Sequence, residues 1–318
     1  MLAPLLLALV QARSGLVVLV GEGATIDAAT CAEIGADHRL LLCAGDPAKV
    51  VDPLVAGGPP EGRVDLDASR EHVGDDRETT ERIRSARCIV LAGGEYLDWL
   101  HLVTPGGTTT RLSDSIRAAH RGGASVVGVG AAAPFLAKWA MVERSAIPGP
   151  ERNPRRHRED VAVEGLGLVP EILFDTSARK RGDPGRMLRS ACDGRFMRAV
   201  YLDGPAIWID DPARRSARVA GSGRAILFDL GAARRLRATW QAARLSLLVS
   251  GDRWSQHEGV ACAEGERDVR LDSDPSLDLL RRSLARASGR LTLRADDRNG
   301  PGGSCWIAFD LEWEPSGS

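Results

Sequence analysis

The sequence predicts an α/β three-layer sandwich built on a mostly parallel central sheet. Two observations carry this expectation. Short apolar runs at 16–20, 39–43 and 88–91 each end at or near glycine, the way strands buried on both faces read. Between them lie charge-rich segments with helical periodicity and short connections, and a repeated strand–helix order places successive strands parallel beneath covering helices. The chain has 318 residues, 43% of them hydrophobic, enough for one large core or two smaller ones.

Taken in order, residues 16–20 form the first strand, closed by Gly21-Glu22-Gly23, and 27–34 the first helix. Residues 39–43 are a second strand, 47–55 a helix stopped by Gly57-Gly58-Pro59-Pro60, and 64–66 a short strand. A charged helix at 76–86 turns Ile83 inward; the strand at 88–91 ends at Gly93-Gly94, and helices follow at 96–103 and 112–120. Residues 125–129 read as a strand and 131–142 as the next helix. The stretch 147–160, with three prolines and the run Arg155-Arg156-His157-Arg158, reads as a solvated loop. Strand character returns at 166–174, helix at 185–191, and strands of a closing antiparallel segment at 207–209 and 225–228. Residues 245–249, 291–293 and 306–313 read as strands and 275–287 as a helix. The expected division is therefore an α/β domain at 15–237 and a small β-rich region at 238–318.

Composition narrows the function. Lys+Arg number 42 and Asp+Glu 43, so no global field attracts nucleic acid. The apolar run 2–10 is too short to span a bilayer, and no other run is long enough. Followed by Val10-Gln11-Ala12 it fits a signal segment at 1–14, yet no Lys or Arg precedes it. Exported and cytoplasmic locations both stay open. None of the six cysteines forms a C-x-x-C pair, so no zinc knuckle and no metal site is expected. Cys43 and Cys88 read as core residues, and Cys262 and Cys305 could pair in an exported chain.

Two turns invite chemical readings. Gly21-Glu22-Gly23 follows a strand and precedes a helix, but it lacks the third glycine of a dinucleotide fingerprint, and no acidic residue ends the second strand. It reads as a turn passing close to its neighbours, and no cofactor is expected. The turn Gly128-Val129-Gly130-Ala131-Ala132-Ala133 lies where an α/β hydrolase carries its nucleophile elbow. Small residues crowd it, but none is serine, cysteine or threonine, and glycine has no atom that attacks a carbonyl.

Several segments in order resemble the cyanophycinase-like serine peptidases, a family with a class I glutamine amidotransferase-like, flavodoxin-like fold. The family elbow Gly-Thr-Ser-Ala-Gly-Ala is similar to Gly128-Val129-Gly130-Ala131-Ala132-Ala133, which puts the nucleophile position on Gly130. A strand ending Gly-Gly-Asp-Gln resembles Gly93-Gly94-Glu95-Tyr96. Gly-Leu-Gly-Leu matches Gly165-Leu166-Gly167-Leu168, and Asp-Gln-His-Phe aligns with Asp175-Thr176-Ser177-Ala178, so the catalytic histidine position falls on Ser177. The arginine series persists as Arg181 and Arg186, and Gly-Ile-Gly-Ile-Asp-Glu resembles Ala206-Ile207-Trp208-Ile209-Asp210-Asp211.

What matches is scaffold, and the resemblance implies a retired peptidase. The nucleophile, histidine and glutamine positions (Gly130, Ser177, Tyr96) are all changed. The implied ligand is a β-aspartyl or arginine-containing peptide held uncleaved by Glu95, Tyr96, Ser177, Arg181 and Arg186, with the arginines clamping a carboxylate. The implied assembly is a homodimer. Two alternatives stay open: a hydrolase of the same fold using Glu95 and Tyr96 for proton transfer, and a structural or partner-binding protein whose pocket is plugged by Trp208.

Overall fold

A computed structural model describes residues 15–45, 60–68, 77–103, 109–143, 160–176, 183–194, 196–231, 233–236, 239–257, 259–261, 280, 282, 289–293 and 307–313. The helix expected at 47–55, the loop at 147–160 apart from its last residue, nearly all of the helix at 275–287, the segment 1–14, Cys262 and Cys305 lie outside the described residues.

The first half follows the expected alternation. Strand β1 (Val17–Val20) leads to α1 (Ala28–Glu33), which starts where the Asp27 carboxylate accepts a hydrogen bond from the Thr30 amide at 2.7 Å. Strands β2 (Arg39–Ala44) and β3 (Gly62–Leu66) come next, then α2 (Arg77–Ser85), β4 (Cys88–Gly93), α3 (Tyr96–Val103), α4 (Arg111–Arg121) and β5 (Ser125–Val129). The five strands pair in parallel, in the order β1-β5-β4-β2-β3. Side chains alternate faces along each strand. Val17, Leu19, Leu40, Leu42 and Ile89 therefore meet Ile83, Trp99 and Ile116 of the helices on one side. Val18, Val20, Leu41, Cys43 and Val90 meet Cys31 and Ile34 on the other.

The expected helix at 131–142 does not form. Residues Gly130–Leu136 make a tight 3₁₀ segment containing Pro134, and the chain then enters strand β6 (Ala137–Glu143). Pro134 has no amide hydrogen to donate within a helix. The strand belongs to a second sheet, so the small-residue run is a crossing between sheets. Strands β7 (Asp160–Glu164), β8 (Val169–Thr176) and β9 (Arg198–Asp203) join that sheet, with α5 (Pro184–Gly194) between β8 and β9.

The mostly parallel central sheet is also corrected. Beyond β9 the chain turns back repeatedly. β10 (Ala206–Asp211) pairs antiparallel with β1, and β11 (Ser216–Gly221) with β10. β12 (Arg224–Asp229) pairs antiparallel with β9. The later strands are β13 (Arg234–Leu236), β14 (Thr239–Leu248), β15 (Arg253–Ser255), β16 (Gly259–Ala261), β17 (Gly289–Leu293) and β18 (Ile307–Trp313), and each pairs antiparallel with its neighbours. The result is a mixed α/β protein with two large sheets, ordered β16-β15-β11-β10-β1-β5-β4-β2-β3 and β17-β18-β14-β12-β9-β8-β6-β7. Only β6, β8 and β9 are parallel in the second. The reason is local: the β9–β12 stretch is joined by turns too short to hold crossover helices, and short turns reverse the chain. Strands from residues 239–313 extend both sheets, β14 beside β12 and β15 beside β11.

The two sheets share a core in which Val17 and Leu19 join Phe174, Val200 and Leu202. The outer face of the second sheet, with Leu173, Tyr201 and Phe228, is covered by Met187, Leu188 and Cys192 of α5. Among the described residues no helix is long and apolar enough to cross a membrane.

The inter-sheet crossing admits no side chain at Gly128, where a Cβ would lie 2.8 Å from Ala133 Cα. Gly128→Ala is expected to lower stability by ~1–3 kcal/mol, read as a fall in the urea midpoint. Gly167 is different: a Cβ there meets nothing within 4 Å, but its φ is +70°. Gly167→Ala should cost only the left-handed backbone penalty, about 1 kcal/mol.

Candidate functional site

The candidate site forms where β4, β5 and β8 end. The backbone leaving β5 passes through Gly130 at φ +58°, a conformation disfavoured for residues with a side chain. The crossing that follows is largely buried: Ala132 to Leu136 are all inaccessible, Phe135 at 1% exposure. Its carbonyls are satisfied by the Gly-Leu-Gly-Leu segment before β8. Leu166 donates to Phe135 at 2.6 Å and Leu168 to Leu136 at 2.9 Å. Arg117 of α4 locks that segment, donating from Nε to the Leu166 carbonyl at 2.8 Å.

Tyr96 begins α3 directly after β4. Its ring lies 6.0 Å from that of Phe135. Its hydroxyl is 3.1 Å from Thr176 Oγ1 and donates a long bond, 3.5 Å, to Asp175 Oδ1. Asp175 and Thr176 are fully buried, and the Thr176 amide donates to the Asp175 carboxylate at 2.9 Å. Tyr96 thus ties the first sheet to the last residues of β8. Beside it Glu95 is exposed, and its amide donates to Asp98 Oδ2 at 2.8 Å. Sequence reasoning singled out Tyr96 but missed Asp175 and Thr176, although both stand in the motif that pointed to Ser177.

Ser177 and Arg181 lie outside the described residues. Arg186 is on the first turn of α5. Asp183 caps that helix, accepting from the Gly185 and Arg186 amides at 3.0 Å each, and its carboxylate stands 4.0 Å from Arg186 Nε. The Arg186 side chain is 34% exposed. The structure therefore brings together Gly130, Glu95 and Tyr96 with the end of β8, and leaves Arg186 on the helix that follows.

The acidic pair lies at the other end of the sheet. Asp210 is in register with Val17, and Val17 with Val126 at the start of β5, whereas Gly130 follows the end of that strand. Asp211 closes a turn, accepting from the Arg214 amide at 3.1 Å. Asp210 points inward and is 3% exposed. Burial pushes its carboxyl up to about 7, against the opposing hydrogen bond from Trp208 Nε1 at 3.2 Å, and the Asp211 charge pushes the same way as burial. Trp208 is fully buried and packs against Trp254, ring centroids 6.1 Å apart. Through Leu19 of β1, Trp208 is in register with Gly128, and its side chain fills the inter-sheet core beside Trp254. His120 is buried, with Nδ1 3.2 Å from the Ala124 carbonyl, and burial holds its pKa below the ordinary value. Gly21 is a close approach, as expected: its amide donates to Ala206 at 2.8 Å, and a Cβ would lie 2.5 Å from the Gly204 carbonyl oxygen.

No family model and no curated protein matches the chain. Among solved structures it is similar to a peptidase from an acI-B1 Actinobacterium, at 15% identity and a TM-score of 0.50, covering 77% of this chain and 98% of that one. A structure described as "a Putative Peptidase E Protein from Listeria monocytogenes EGD-e" aligns at 13% identity with a TM-score of 0.35, covering 70% of this chain and 98% of that one. The first likeness shows a fold shared with that protein.

Two outcomes test this geometry. Tyr96→Phe should lower stability by ~1 kcal/mol through loss of the hydroxyl's partners, measured by chemical denaturation. For Asp210 the folded pKa, about 7, exceeds the ordinary 3.8, so its contribution to stability is complete below 3.8 and is lost as pH rises through 7. Asp210→Asn should therefore stabilise the chain above neutrality by ~2–4 kcal/mol and flatten the stability–pH curve across that window. His120 acts oppositely, lowering stability as pH falls below 6.5.

Proposed function

We propose that this chain is a non-catalytic relative of the cyanophycinase-like serine peptidases that holds a peptide where β4, β5 and β8 end. The observation that carries this reading is the turn after β5. It adopts positive φ at Gly130, as a strained nucleophile elbow does, and the residue there offers no attacking atom. Loss of nucleophile or base alone typically lowers such catalysis by several orders of magnitude.

The ligand reading rests on position and charge. Open α/β sheets bind ligands beyond the carboxyl ends of their parallel strands, where Glu95 and Tyr96 stand. Arg186, partly exposed on α5, is joined in this proposal by Ser177 and Arg181. Guanidinium groups take carboxylates in paired hydrogen bonds, so a β-aspartyl or arginine-containing peptide with a free carboxylate is the fitting class. The acting unit in this reading is a homodimer. A second reading is favoured by the packing of Phe135, which is 1% exposed and faces the Tyr96 ring. In that reading the vacated site is filled and the protein serves a structural or partner-binding role.

A thermal-shift panel of β-aspartyl and arginine-containing peptides, with product analysis by chromatography, separates these readings. The expected result is a saturable rise in Tm with at least one peptide, its loss in Arg186→Gln, and no cleavage. Cleavage abolished by Glu95→Gln overturns the non-catalytic reading in favour of a hydrolase. No shift with any peptide sinks the ligand and leaves the filled site.

A further inference from the structure

A cavity lies about four residues back along β8, roughly 13 Å from Tyr96's contacts with Thr176. It opens where β8 and β9 begin and β10 ends, holds about 100 Å³, and is lined by Glu171, Arg198, Asp210, Arg215, Trp254 and Gln256 among others. Three features set it apart. Its walls carry both positive-φ residues other than glycine found among the described residues, Glu171 at +58° and Arg215 at +50°. Such backbone costs free energy and clusters at ligand sites. Second, Arg198 Nε is buried with no hydrogen-bond partner among the described residues. A buried guanidinium donor left without an acceptor is costly. Third, the surroundings are half apolar. The Arg198 guanidinium lies over the Trp254 ring, 5.1 Å from its centroid, and Val169 and Ile172 complete the wall.

We propose that this cavity binds a short-chain monocarboxylate. The unpartnered donor calls for an oxygen acceptor, and the cations favour an anionic one. Arg198 Nη1 lies 3.9 Å from the largely exposed Glu171 carboxylate, and Arg215 donates to the neutral Gln256 side chain at 3.4 Å. The ligand's carboxylate meets the Arg198 guanidinium, and its methyl or methylene end lies against Trp254 and Ile172. The volume is about three waters' worth, which suits acetate or propionate. It excludes most of a peptide but admits its terminal carboxylate. Below neutrality Asp210 is protonated and offers a hydroxyl donor; above it, Asp210 brings a negative charge into a cavity that already holds Glu171, with Asp211 adjacent on β10. The site is independent of the peptide reading of the Tyr96 end.

The test is titration of the full chain with sodium acetate at constant ionic strength, followed by saturation-transfer NMR on the acetate methyl and by calorimetry. Saturable binding in the low-millimolar range is expected at about pH 6, weakening about tenfold by about pH 8. Asp210→Asn should abolish that pH dependence. Arg198→Gln, with its fold checked by near-UV circular dichroism, should weaken binding at least about tenfold. Propionate and N-acetylglycine are the comparison arms: tighter N-acetylglycine binding identifies a peptide C-terminus as the source of the carboxylate, tighter propionate a free acid. If acetate shows no saturable binding to the wild-type chain up to about 50 mM, or sulfate binds as tightly, the proposal falls whether or not the variants fold.

Discussion

The backbone leaves the first sheet at Val129 and enters the second at Ala137, and the segment between runs through the shared core. Its carbonyls are met by Leu166 and Leu168, and the segment that supplies them is held by Arg117. With no room for a Cβ at Gly128 and a positive φ at Gly130, glycine is favoured at both positions. Phe135, carried on the same segment, reaches Tyr96, and Tyr96 reaches the end of β8. Change the crossing and the candidate site loses two of its walls together.

A similar constraint operates where the chain crosses at 204–205 and 222–223. A Cβ at Gly223 would lie 2.5 Å from Asp203 O, and one at Gly221 2.3 Å from Pro205 O. The two passages lie against each other, and glycine is what allows the contact. They also place Asp210 far from Gly130 on the same sheet. Asp210 lies under Trp208 and Trp254, where burial favours its neutral form. Charge, strain and an unpartnered donor thus gather at the end of the inter-sheet core opposite the turn at Gly130.

Much of the first half was legible. The strands at 39–43, 88–91 and 125–129 appear within a residue or two of their expected bounds, and the helix at 96–103 matches. Cys43 and Cys88 are core residues. The legibility comes from burial on both faces, which leaves continuous apolar runs. β7, β9 and β11 carry charges at their ends or alternate with polar residues, and such short strands read poorly without their partners. The run 131–142 misled for a different reason. Alanine-rich sequence favours helix, but Pro134 and the pull of a second sheet on Ala137–Glu143 override that propensity.

By itself the sequence determined the buried strands, the helices between them and the glycine-rich turn that follows β5, because each is written in local pattern and side-chain chemistry. The tertiary structure alone decided the second sheet, the antiparallel half of the first, the meeting of Tyr96 with Asp175 and Thr176, and the gathering of Glu171, Arg198, Asp210 and Trp254 around one cavity. Those contacts join residues tens of positions apart, and strand direction and side-chain convergence at such separations follow from which surfaces bury one another.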